Sequence, residues 1–202
     1  TTVPVGEDQL PMIEQCREKS SDDSHKAEPI RISFIGNVRY VEENEKLIRC
    51  FMNDSRFRLQ YFGGGSEKME EIAKRLGANN VVCQGRFAHE DTYKFYEITD
   101  IINNLYGNSG IELRTALSNK LYFSAALNKP ILVCPNTYME KVSTENGIGY
   151  VVDWEDSDIP DKLYEWYNDS FLTSNTQSGF MEQVIKDEAD FEKNLVDFVK
   201  GK

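Results

Sequence analysis

The chain has 202 residues, 40% of them hydrophobic and 28% charged, a balance that excludes wholesale disorder. Asp and Glu outnumber Lys and Arg by 34 to 23, and the net charge of −11 excludes broad binding to nucleic acid or an anionic membrane. A small phosphate-bearing ligand stays open, because a local pocket can oppose the global field.

Met12 to Lys19 is predicted as a short helix after Pro11, and Ser20 to Glu28 as a polar linker. Regular alternation then begins. Ile30 to Ile35 reads as a first strand ended by Gly36, and Glu42 to Asn53 as an amphipathic helix with Leu47, Ile48 and Phe51 on one face. Phe57 to Phe62 is a second strand, stopped by Gly63-Gly64-Gly65. A helix follows from Ser66 to Leu76, closed by Gly77. Asn80 to Gln84 is a third strand, ended by Gly85. Asp91 to Ile98 reads as helix, Asp100 to Tyr106 as a fourth strand and Gly107 to Thr115 as a loop. Asn119 to Leu127 is helical, Pro130 to Cys134 a fifth strand, Tyr138 to Glu145 a short helix and Gly149 to Asp153 a sixth strand. From Ile159 onward the pattern is helical, with a break at Thr173 to Gly179.

Strands alternating with helices, with no hairpin signal, predict an α/β fold. The expected architecture is a Rossmann-like, doubly wound parallel sheet of about six strands with helices on both faces. Residues 1–29 are expected to be a linker, 30–155 the core and 156–202 helices packing on the same domain. Ligands in such folds sit at the carboxyl ends of the strands, so the loops that follow strands are the candidates for a site.

Five segments stand out there. Gly36-Asn37-Val38-Arg39 offers a close backbone approach and an arginine able to fork onto phosphate, or else a plain turn with a surface arginine. The pattern is not Gly-x-Gly-x-x-Gly, which disfavours a nicotinamide or flavin dinucleotide. Gly64 and Gly65, beside a helix start, can form an anion nest or a tight turn. Gly85-Arg86 can face the edge of a base or serve as a turn. Ser118-Asn119-Lys120 opens an apolar helix, where unpaired amides and a cation attract a diphosphate, with Ser118 or Asn119 as the cap. Tyr138 to Glu140 begins a helix, and Glu140 can accept from sugar hydroxyls or complement the helix dipole.

Cys16, Cys50, Cys83 and Cys134 form no Cys-x-x-Cys pair and read as reduced thiols of a cytosolic protein. With only His25 and His89, a histidine metal site or a Ser-His-Asp triad is poorly supplied. No apolar run approaches the roughly 20 residues that span a bilayer. Thr1 is not a natural initiator, so the chain is expected to be processed or excised from a longer one.

In this order the segments resemble bacterial glycosyltransferases of the GT-B type that act in polysaccharide and capsule synthesis, a group related to retaining enzymes. Asn119-Lys120-Leu121-Tyr122 followed by Asn128-Lys129-Pro130-Ile131-Leu132 resembles their Asn-Lys-Leu…Gly-Lys-Pro-Ile-Leu segment. Phe34 to Arg39 resembles the first strand and glycine turn of their carboxy-terminal domain, and Gly147 to Asp153 the entry to its last strand. The likeness covers about residues 30–155. It implies the nucleotide-sugar-binding half of a hexosyltransferase that needs no cofactor or metal and is inactive as a fragment. The catalytic groups and the contacts to a glycan or lipid-linked acceptor would lie in a preceding domain. Gly36, Asn37, Arg39, Ser118, Asn119 and Lys120 would face the donor phosphates, Gly85 and Arg86 the base, and Tyr138 and Glu140 the sugar. Location would be cytoplasmic, with room for peripheral association of the parent protein at the inner membrane face. Two departures stand out. Thr115 and Phe123 occupy positions where many relatives carry glutamates, and Asn128 stands where glycine is usual. The first favours a rival reading, a non-catalytic interaction module on the same scaffold. Half of a sugar-nucleotide epimerase is a third.

Overall fold

In the computed structural model, which describes residues 29–173 and 179–200, the β-branched and aromatic runs form six strands. They are β1 (Ile30–Ile35), β2 (Phe57–Phe62), β3 (Val81–Gln84), β4 (Ile101–Asn103), β5 (Ile131–Val133) and β6 (Gly149–Val151). All pair in parallel, in the order β3-β2-β1-β4-β5-β6. Parallel strands covered on both faces need near-continuous apolar sequence. Accordingly Ile32, Phe34, Leu59, Ile101, Ile102, Ile131 and Leu132 are all buried. The expected doubly wound α/β architecture is therefore present. The strand order reverses direction between β1 and β4, which opens a crevice at their carboxyl ends.

The crossovers are α1 (Val41–Phe51), α2 (Ser66–Leu76), a 3₁₀ turn (His89–Asp91) leading into α3 (Thr92–Glu97), α4 (Ile111–Thr115), α5 (Asn119–Leu127) and α6 (Tyr138–Glu145). α1 buries Leu47, Ile48 and Phe51 at helical spacing, as the sequence predicts. Gly77 closes α2 at φ +69, and its N–H reaches back to Ala73 and Lys74 carbonyls. After β6 the chain forms α7 (Ile159–Glu165), a π-helical turn (Trp166–Phe171) and α8 (Phe180–Val199). Ile159, Leu163, Phe171 and Val184 are buried in the common core.

Three expectations change. β4 ends at Asn103 rather than Tyr106, because the Asn103 side chain takes over from the ladder. Its Oδ1 accepts from the Leu105 N–H at 3.0 Å, and its Nδ2 donates to Asn44 Oδ1 at 2.8 Å. The segment 107–115, read as a loop, contains α4, where Thr115 Oγ1 donates to the Ile111 carbonyl at 2.8 Å. The C-terminal helical run is interrupted by the π-helical turn. The predicted helix from Met12 to Lys19, the linker to Glu28, Cys16 and His25 all lie outside the described residues.

Candidate functional site

Glycine geometry brings two strand ends together. Gly36 has φ +115 and donates its N–H to the Phe62 carbonyl at 2.8 Å, while Gly63, at φ +125, donates to the Gln84 carbonyl at 2.9 Å. A Cβ on Gly63 would collide with the carbonyl oxygen of Gly36, so the two turns stack as bare backbone. Val38 N–H donates to the Gly64 carbonyl at 2.8 Å and locks the stack. A Cβ on Gly64 would meet Asn37 Oδ1 at 2.9 Å and Arg86 Nε at 3.4 Å, which puts those two side chains over the shelf.

α5 supplies the opposing wall. Ser118 is its N-cap, and the hydroxyl accepts from the Lys120 N–H at 3.2 Å. Lys120 is only 7% exposed. Its ammonium donates to Tyr106 Oη at 2.7 Å and lies 4.3 Å from the ring centre of Phe34. Among the described residues no carboxylate pairs with it. A largely buried cation held by aromatic faces and one hydroxyl is primed for an anion. Tyr106 is itself fixed by stacking on Tyr40, with ring centres 4.3 Å apart.

The third wall is aromatic. Phe87 packs on Phe95 at 4.3 Å, and Tyr96 stacks on Phe123 at 4.3 Å with the planes 8° apart. Between the shelf, the helix start and these rings lies a cleft of about 620 Å³, at the crevice between β1 and β4. That volume suits a ligand the size of a nucleotide. Among the described residues no group of three His, Cys, Asp or Glu side chains is placed to hold a metal ion.

The cleft gathers Gly36, Asn37, Gly64, Arg86, Ser118, Asn119 and Lys120 of the predicted residues. Arg39 does not line it. Val38 is drawn inward by Gly64, and Arg39 follows on the exposed side of the turn. Gly65, at φ +87, is the N-cap of α2, and a Cβ there would meet the Val38 carbonyl oxygen at 2.6 Å. Gly85 also lies outside the lining. Tyr138 is exposed, and Glu140 serves its own helix: its Oε2 accepts from the Asn136 N–H at 2.6 Å, and its N–H donates to Thr137 Oγ1. Phe87, which follows Gly85-Arg86 in the predicted base-facing segment, lines the cleft, whereas Tyr106, His89, Thr92 and Tyr96 were not singled out by the sequence. Tyr106 was open to detection, since it follows a strand end at the crevice, whereas the others converge from separate elements. Phe123, at one of the glutamate positions, forms part of the wall. Asn128 takes φ +49 at the end of α5, a left-handed conformation that asparagine tolerates and glycine adopts freely.

No protein-family model matches the sequence, and no curated protein matches it. Solved structures do resemble the fold. HepE of Anabaena, in complex with UDP and glucose, aligns with a TM-score of 0.61 at 12% identity, over 92% of this chain and 52% of its own. WaaG, a glycosyltransferase involved in lipopolysaccharide biosynthesis, aligns with a TM-score of 0.52 at 16% identity, over 86% of this chain and 45% of its own. A Listeria monocytogenes protein described as a UDP-N-acetylglucosamine 2-epimerase aligns with a TM-score of 0.50 at 12% identity, over 85% and 46%. The chain thus spans about half the length of these neighbours, and its Rossmann-like fold is the one they share with it over that half.

Proposed function

We propose that this chain is the donor-binding half of a glycosyltransferase, and that a nucleoside diphosphate sugar occupies the cleft. One observation carries the proposal: the bare shelf of Gly36 and Gly64, the first turn of α5 and the ammonium of Lys120 converge on a single crevice. The diphosphate would lie against the Ser118–Lys120 turn, where helix amides and Lys120 meet its charge. Arg86 and Phe87 would hold the base. When the glycosidic bond to phosphate breaks, negative charge grows on the leaving diphosphate. Preorganised amides and cations stabilise that charge in place, without a metal. Lys120 is suited to this role because its position is fixed before ligand arrives.

Acceptor contacts and the remaining catalytic groups would come from a second domain, so the chain alone should not turn over. Its setting, on the motif order from Phe34 to Leu132, would be bacterial polysaccharide or capsule synthesis in the cytoplasm. Phe123 in the cleft wall favours a second reading, a binding module that has lost a ribose-holding carboxylate. The epimerase neighbour supports half of an epimerase as a further alternative.

The test is calorimetric titration with UDP, GDP and ADP. Micromolar-to-millimolar binding of at least one, weakened in Lys120→Met, is expected. Binding by none of them refutes the proposal. Sugar transfer by a longer parent protein that survives Lys120→Met favours the binding-module reading, and isomerisation of a free nucleotide sugar without acceptor favours the epimerase.

A further inference from the structure

The cleft has two ends and a middle. The first turn of α5, with Ser118, Asn119 and Lys120, forms the end that grips a diphosphate, and Arg86 and Phe87, just after β3, form the end that faces a base. The pentose of a nucleotide joins those two groups, so the wall between the ends decides which pentose fits.

That wall is Phe123 and Tyr96. Phe123 follows Asn119 by four positions and Lys120 by three, so it stands on the same face of α5 one turn further along. Tyr96 lies on α3, the helix that follows Arg86 and Phe87. The two rings stack with their centres 4.3 Å apart, and both residues line the cleft. Phe123 is 5% exposed and Tyr96 3%, so the wall is set before a ligand arrives. Uncharged polar side chains lie to either side of it. Asn37 and Asn119 belong to the diphosphate end, and His89 and Thr92 to the turn that enters α3, where Thr92 Oγ1 already donates to the His89 carbonyl at 2.6 Å. Among the described residues no aspartate or glutamate lines the cleft.

A ribose carries two adjacent hydroxyls, and a carboxylate, with two acceptor oxygens and no proton of its own, is the side chain best suited to read them. Against aromatic carbon a 2′-hydroxyl loses water without gaining an acceptor, whereas the methylene of a 2′-deoxyribose gains apolar contact.

We infer that the cleft takes 2′-deoxyribonucleoside diphosphate sugars as donors, with the C2′ methylene packed on Phe123. The inference rests on the nucleotide-sugar reading of the same cleft. It adds the class of pentose, which the diphosphate contacts do not determine, and makes Phe123 a specificity residue.

The experiment compares UDP with dUDP, which differ by one oxygen atom, by calorimetry on the wild-type chain and on Phe123→Glu. In wild type dUDP is expected to bind at least as tightly as UDP, and up to about tenfold tighter. Phe123→Glu puts a carboxylate beside the pentose and should shift the ratio of the two affinities toward UDP by about tenfold. Tighter binding of UDP than of dUDP by wild type overturns this inference and leaves the nucleotide site standing. An unchanged ratio in a folded Phe123→Glu also overturns it. The wild-type comparison decides by itself if that variant does not fold. Failure of UDP, dUDP, GDP and ADP alike to bind removes both this inference and the reading beneath it.

Discussion

The ammonium of Lys120 lies 2.7 Å from the phenolic oxygen of Tyr106 and over its ring, so one tyrosine both anchors the cation and lines the cleft beside it. Among the described residues the cost of burying that charge is met by aromatic faces and a hydroxyl rather than by a carboxylate, which leaves its field available to a ligand. Lys120→Met should therefore weaken nucleoside diphosphate binding roughly 10- to 100-fold, the worth of a charge-assisted hydrogen bond. Tyr106→Phe keeps the ring and should cost only a few-fold. Titration calorimetry with UDP distinguishes the two.

Arg86 and Arg39 make a second contrast. Arg86 lies over Gly64 in the cleft wall, whereas Arg39 is exposed outside it. Arg86→Ala should weaken UDP at least several-fold and Arg39→Ala by less than about twofold, the small effect of a distant screened charge. The reverse order would mean that the diphosphate approaches from the other side of the β1 turn.

The stacked glycines should differ in stability. Gly63→Ala adds both positive-φ strain and a collision with the Gly36 carbonyl, and is expected to cost about 3 kcal/mol or more. Gly36→Ala adds the strain alone, since nothing lies within 4 Å of its Cβ position. Thermal unfolding should show the larger fall in Tm for Gly63→Ala.

Asn128 provides a control at the end of α5. At φ +49 glycine is at ease and alanine is not. Asn128→Gly should leave Tm close to wild type, while Asn128→Ala should cost about 1 kcal/mol by denaturant unfolding.

Burial pushes the Cys134 thiol up from 9.0 to about 11, against a smaller opposing effect of the Gly107 N–H. The folded chain therefore keeps this proton at a pH where the unfolded chain has released it. Its contribution is fully present below about pH 9 and is lost as pH rises toward 11. Thermal unfolding at pH 8 and pH 10.5 should show a loss of Tm that is smaller in Cys134→Ala than in wild type.

Local signals in the sequence were read correctly where a single segment decides the outcome. Gly77 ends α2, the cap of α5 is Ser118, one of the two adjacent candidates, and the apolar stripe of α1 faces the core, because each depends on near neighbours alone. The parallel sheet was equally legible, since strands buried on both faces leave a continuous apolar signature. The site was legible only as a set of loops. Which arginine enters the cleft depends on how Gly36, Gly63 and Gly64 stack, a contact between segments far apart in the chain. α4 was hidden because it is short and lacks a side-chain cap, and its Ile111 is exposed. The stack of Tyr96 on Phe123 had no linear trace, since the two rings come from separate segments.

The most direct measurement is backbone amide NMR of the chain during addition of UDP. The account predicts saturable shifts concentrated at Gly36, Gly64, Asn119 and Lys120, abolished or strongly weakened in Lys120→Met. Shifts confined to residues outside the cleft, or none at millimolar UDP, GDP and ADP, would contradict it.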